Sequence, residues 1–251
     1  MILIFVEGPC PKRVDSFRIS AKRTPHTNIM DLLRELRMSG EYFPQSALSL
    51  YSASYTRLHK IIRSFRSFDK DTRLYFITPL GVFGENDPAV WYEECLSEMH
   101  AVDIKNILLK FGSLEKLYDL LEEQYRLSII CASSRLLKVL EIDYFIPANS
   151  PSIIVSDAYL STRPNIYTIT PKHHIANRIR KIYGKSSMYD LFQYCLDYIG
   201  RALNELKFGT PELDRLFDNP RSFFQTLFSR ILLDKLLAQN RRQDRITRFL
   251  S

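Results

Sequence analysis

Five short runs in this chain are rich in apolar and strand-forming residues: "ILIFV" (2–6), which is apolar throughout, "RLYFIT" (73–78), "RLSIIC" (126–131), "SIIVS" (152–156) and "NIYTIT" (165–170). A strand covered on one face alternates polar and apolar residues, whereas a strand buried on both faces reads as a continuous apolar run. Between these runs lie stretches with helical spacing. In 28–38, Ile29, Leu32, Leu33 and Leu36 share one face, Asn28 offers an N-cap and Gly40 a stop. Strands alternating with helices predict an α/β fold with a mostly parallel central sheet flanked by helices.

The same reading expects a further short strand at "DSFRIS" (15–20) and helices over 44–63, 89–99 and 103–110. Further helices are expected after Ser113 and from Ser133 or Ser134 to Leu140. Another is capped by Thr170, has Pro171 at its first position and ends at Gly184. Beyond Gly184 the strand signals stop, and 187–206, 211–216 and 223–237 all read as helices. The chain is therefore divided into an α/β domain over about 1–184 and a helical C-terminal extension over about 185–251, available to pack on the first part or to dock a partner.

Composition narrows the class. An apolar fraction of 45% with 16 Phe and 14 Tyr excludes a disordered chain. The 35 Lys and Arg against 28 Asp and Glu give a net charge of +7, which admits RNA or DNA as a partner. Seven basic and two acidic residues lie in 220–251, so most of that excess sits in the tail. The N-terminal run is too short for a signal peptide, and no stretch reaches the length of a membrane span. A cytoplasmic protein without a membrane partner is expected. The four cysteines, Cys10, Cys95, Cys131 and Cys195, have no metal spacing and are read as reduced thiols.

In open α/β sheets, ligands bind beyond the carboxyl ends of the strands. Four strand ends carry informative residues: "EGPCPKR" (7–13), "TPLGVFGEND" (78–87), "CASSR" (131–135) and "TPKHH" (170–174). The second holds two of the chain's 8 glycines, which allow close backbone approach. Ser133, Ser134 and Arg135 offer amides and a guanidinium to an anion. His173 and His174 could serve as acid or base, and Lys172, Arg178, Arg180 and Lys181 form a basic helix face. Arg241, Arg242, Arg245 and Arg248 form a second basic group. No phosphate-binding P-loop, dinucleotide fingerprint, nucleophile elbow or zinc motif is present, so no cofactor and no metal are expected.

Two of these strand ends together resemble a known family. "FVEGPCPKR" followed by "FITPLGVFGEN" is similar to the small α/β domain of archaeosine synthases, through Pro9, Cys10, Lys12 and Arg13, then Thr78, Pro79, Leu80, Gly81, Val82 and Glu85. "SLYSASYTRLHKIIRSF" (49–65) resembles related stand-alone domains that are distantly similar in fold to uracil-DNA glycosylases. The resemblance covers about residues 1–135. The family's Lys-Pro-Tyr-Ser run after the cysteine is replaced by "KRVDSF", and no transglycosylase-like or PUA module accompanies the domain.

The resemblance implies a base or nucleoside pocket. Cys10, Lys12 and Arg13 would form one wall, Thr78, Pro79, Leu80 and Gly81 the other, and Glu85 would read or protonate the base. The leading expectation is thus a nucleic-acid-associated protein, glycosylase-like, base-modifying or only binding. The alternatives are a non-enzymatic interaction protein or homodimer using Phe223, Phe224, Leu227, Ile231 and Leu232, and a small-nucleotide sensor at Ser133.

Overall fold

The computed structural model describes residues 1–10, 17–40, 43, 45–51, 54–183, 187–209, 213–236 and 238–239. Six strands form the central sheet: β1 (Ile2–Glu7), β2 (Thr72–Thr78), β3 (Gly81–Gly84), β4 (Leu127–Cys131), β5 (Ser152–Val155) and β6 (Ile166–Ile169). Their order is β3-β2-β1-β4-β5-β6. All neighbours are parallel except β2 and β3, which form an antiparallel edge hairpin. Every residue of β1, β4 and β5 is buried, as their largely apolar composition leads one to expect.

β1 lies in the middle, paired with β2 from Ile2↔Thr72 to Glu7↔Ile77 and with β4 from Ile2↔Leu127 to Val6↔Cys131. The chain leaves β1 toward β2 and later crosses to β4 on the other side. The winding therefore reverses at the gap between β1 and β4.

The helices include α1 (Ile29–Ser39), α2 (Leu58–Phe68), α3 (Ala101–Lys110), α4 (Ser113–Glu122), α5 (Ser134–Val139), α6 (His174–Tyr183), α7 (Met188–Gly209) and α8 (Pro220–Leu227). Asn28 caps α1 by accepting from the Met30 amide, and Gly40 closes it in the left-handed region at φ 70°. α7 runs alongside α2. The Gln193 side chain accepts from the Arg57 amide at the start of α2, Asn204 donates to the Ser64 carbonyl, and Lys207 donates to the Phe68 carbonyl at its end. One hydrophobic cluster runs from Ile2 to Leu236, so the C-terminal helices share the core of the sheet. Phe223, Phe224, Leu227 and Leu232 are buried within it, which removes four of the five residues expected to dock a partner; Ile231 alone is exposed.

Several local expectations are corrected. The stretch 44–63 is not one helix: Gln45–Ser46 pairs antiparallel with Pro88–Ala89, a short helix spans Ala47–Tyr51, and α2 begins only at Leu58. That pairing also removes the helix expected over 89–99, where a 3-10 turn occupies Leu96–Glu98. From "DSFRIS" only Ile19 joins a ladder, as a single bridge to Tyr92, and residues 15 and 16 lie outside the described residues. α6 starts at His174, not at Pro171, because the Thr170 carbonyl first closes a turn onto the His173 amide.

The glycines of "TPLGVFGEND" serve the β2–β3 hairpin, not a strand-to-helix turn. Gly81 takes φ 142°, which L side chains rarely adopt. The Thr78 hydroxyl accepts from the Leu80 amide and donates to the Gly81 carbonyl. Among the described residues, no helix is long and apolar enough to cross a membrane.

Candidate functional site at the carboxyl edge

β1 carries five apolar residues and then a carboxylate. Glu7 is its last residue and is 2% exposed. Its position is set by the backbone around it. The Gly8 amide donates to the Ile77 carbonyl, the Tyr55 hydroxyl to the Glu7 carbonyl at 2.6 Å, and the Tyr92 hydroxyl to the Pro9 carbonyl at 2.9 Å. Gly8 is required by this crowding. A Cβ there would run into the Tyr92 hydroxyl and come within 2.8 Å of Thr78 Cγ2.

Glu7 faces the gap where the winding reverses. Its Oε2 accepts from the Ser133 amide at 2.6 Å, just before α5. Its Oε1 is buried and meets no donor in hydrogen-bond geometry, although the Ser133 hydroxyl and the Ser97 amide stand close enough to the carboxyl to lower its pKa. Burial pushes the Glu7 carboxyl up from its ordinary value, only partly offset by the Ser133 amide and hydroxyl and the Ser97 amide, while Asp157 pushes it further up. A buried carboxyl with an unused oxygen at such a gap has the features of a binding or proton-transfer group.

Around it stand Cys10, Ser97 and Tyr189, all half-buried. The Tyr189 hydroxyl accepts from the Cys10 amide at 3.0 Å and donates to Cys10 Sγ at 3.0 Å. Its ring meets Tyr55 edge-on. Cys10 is joined to Cys95 in a disulfide, with Cα atoms 4.7 Å apart. This corrects the expectation of four reduced thiols. The Ile19–Tyr92 bridge and the Tyr92–Pro9 hydrogen bond bring the two loops together across 85 residues, a proximity that sequence spacing does not reveal. Cys131 and Cys195 are buried and lie outside any disulfide.

The other expected site residues fall in different places. Thr78, Pro79, Leu80 and Gly81 lie at the same sheet edge as Cys10 but are buried in the hairpin turn, with Ser113 of α4 beside Gly81. Glu85 does not stand with them. Its amide bonds the Leu74 carbonyl, four residues back along β2 from Thr78, or about 13 Å at strand rise. Its carboxylate pairs with Arg66 of α2. A base reader at Cys10 cannot be built from it, because the antiparallel return of β3 carries it away from the carboxyl edge.

The anion site expected at Ser133, Ser134 and Arg135 is filled by the protein's own acids. Ser133 serves Glu7. The Ser134 amide and hydroxyl both donate to Asp157, and Arg135 donates to the Met99 carbonyl at 2.7 Å. Burial pushes the Asp157 carboxyl up, but the Ser134 and Ser156 donors outweigh it and hold the group below the usual range.

Lys172 is exposed, and Arg178 pairs with Asp234 at 3.1 Å. Lys12, Arg13, Arg241, Arg242, Arg245, Arg248 and the side chains of Arg180 and Lys181 lie outside the described residues. His173 is half-buried against Tyr167 and His174.

Glu7, Cys95 and Tyr189 were missed as site residues from sequence. Glu7 left one signal, an acid closing an otherwise apolar strand run. Cys95 and Tyr189 left none. No family model, curated protein or solved structure matches the chain.

Proposed function

We propose that the chain binds a nucleobase or nucleoside, free or within a nucleic acid, at the carboxyl edge beside Glu7, and that Glu7 hydrogen-bonds the ligand and exchanges a proton with it. The observation that carries this reading is the buried, unpartnered Oε1 of Glu7 at the reversal between β1 and β4. Capping of α5 accounts for Oε2 and leaves Oε1 without a role. A polar atom kept buried and unpaired costs about 1–3 kcal/mol, so a ligand donor that meets it is favoured. The upward shift of the Glu7 carboxyl, caused by burial, suits a group that gives or takes a proton. Tyr189, half-buried at the same edge, adds an aromatic side chain beside Cys10. The resemblance over residues 1–135 implies the base, and the net charge of +7 supports a nucleic acid as its carrier.

The test is a titration of wild type and Glu7→Gln with the common nucleosides, tRNA and single- and double-stranded DNA. Reaction mixtures are chromatographed for released or altered base. Glu7→Gln is expected to weaken base-dependent binding by about 10- to 100-fold, the value of one hydrogen bond to a charged group. Equal binding by wild type and Glu7→Gln, or no binding of any of these ligands, sinks the proposal.

A further inference from the structure

Cys10, Cys95 and Glu98 meet at the rim of the same sheet edge. Their two sulfurs and a Glu98 carboxylate oxygen all lie within 4.8 Å of one another. Cys95 is buried, Cys10 half-buried and Glu98 exposed, so the group has a closed side and an open side. Hydroxyls also face both sulfurs. Ser97 Oγ lies 3.1 Å from Cys95 Sγ and 3.5 Å from Cys10 Sγ, and Tyr189 donates to Cys10 Sγ at 3.0 Å. A disulfide sulfur is a weak acceptor. Hydroxyl donors at these distances suit thiolate charge far better, as outer partners do around metal-bound cysteines.

We propose that the reduced protein binds one zinc ion through Cys10 Sγ, Cys95 Sγ and the Glu98 carboxylate, and that the Cys10–Cys95 disulfide is the metal-free, oxidised form of the same site. Two thiolates and a carboxylate match the borderline-soft donor set of zinc, and three protein ligands leave its fourth tetrahedral position open. Tetrahedral Zn–S bonds of about 2.3 Å set the two sulfurs about 3.8 Å apart, within reach of side-chain rotation from the disulfide.

The interconversion balances. A dithiol reductant supplies two electrons and two protons, the S–S bond breaks to two thiols, and the reductant leaves as its own disulfide. Zinc then displaces the two thiol protons to solvent as the Zn–S bonds form. The site does not depend on the role of Glu7 and stands or falls without it.

The experiment measures zinc stoichiometry and affinity by competition with a chromophoric chelator. The full chain is used, once oxidised and once reduced by a phosphine that is removed before the titration. The same chain is then loaded with Co²⁺ for its absorption spectrum. The reduced protein is expected to bind one zinc per chain and the oxidised protein at least about 100-fold more weakly, since the disulfide removes both thiolate ligands. The cobalt form is expected to show thiolate-to-metal charge transfer. Cys10→Ser and Cys95→Ser are each expected to abolish that band. Glu98→Gln, an exposed change that leaves the disulfide intact, is expected to weaken zinc by about tenfold or more. A reduced wild type that binds no stoichiometric zinc overturns the proposal. So does a Glu98→Gln variant with unchanged affinity, or a charge-transfer band that survives Cys10→Ser.

Discussion

The amide nitrogen of Ser133 stands 2.6 Å from Oε2 of Glu7, a hydrogen bond between residues 126 positions apart that bridges the ends of β1 and β4. It holds an acid at the sheet's reversal with one oxygen used and the other, Oε1, buried and unpaired.

That arrangement has a pH signature. Burial, the largest influence, raises the folded-state Glu7 carboxyl above its ordinary value of 4.5. The folded state therefore holds this proton more tightly than the unfolded chain does. The stabilisation is fully present below that value and is lost as pH rises through the folded value. In Glu7→Gln this dependence disappears. Thermal melts from pH 4 to pH 7 are expected to show the variant gaining on wild type as pH rises; parallel curves contradict the assignment.

His173 acts in the opposite sense. Burial, and then His174, lower its pKa from 6.5. Its contribution is present above 6.5 and is lost as pH falls through the folded value. His173→Gln is expected to lose less stability than wild type between pH 7 and pH 5, measured as the shift in denaturant midpoint. Glu7 contributes a pH dependence of the opposite sign, so the comparison is made on the Glu7→Gln background.

The Cys10–Cys95 bond closes a loop of 85 residues, for which the chain-entropy relation gives about 4.6 kcal/mol at 25 °C, with about 2–4 typical of measured cases. Reduction is expected to lower the melting temperature by several degrees. Thiol titration in denaturant is expected to find two reactive groups in the oxidised protein, Cys131 and Cys195, and four after reduction. Four without reductant would show that the bond does not form.

Gly8 and Gly81 test the geometry of the edge separately. A methyl group at Gly8 meets Tyr92 and Thr78, so Gly8→Ala is expected to cost about 1–3 kcal/mol by overpacking and to disturb the Glu7 site. At Gly81 the nearest atoms to an added Cβ are 3.9 Å away, so Gly81→Ala costs only backbone strain, about 1–3 kcal/mol. Chemical denaturation measures both. In a titration with base ligands, only the Gly8 variant is expected to lose affinity at equal folded fraction.

The runs at 2–6, 126–131 and 152–156 were legible because burial on both faces favours apolar residues at most positions; β1, β4 and β5 are buried throughout, and the buried hydroxyls of Ser128 and Ser152 bond each other. The caps at Asn28 and Ser133 were legible because a cap is local: each side-chain oxygen accepts from an amide two or three residues on. The β2–β3 hairpin was not. A strand-to-helix turn and a hairpin use the same Pro and Gly, and only the pairing of Thr78 with Gly81 separates them. Glu85 left the expected site because of that return.

The sequence by itself determined which segments must be buried, since apolar periodicity acts over a few residues at a time. Only the tertiary structure decided which strand ends meet. The strand order β3-β2-β1-β4-β5-β6 brings Glu7 to Ser133 and Cys10 to Cys95, and it turns Ser133 and Ser134 from an anion site into caps for Glu7 and Asp157. The energy of burying Glu7 depends on Ser133, 126 residues away, and on Asp157 beyond it, and no local pattern encodes those partners.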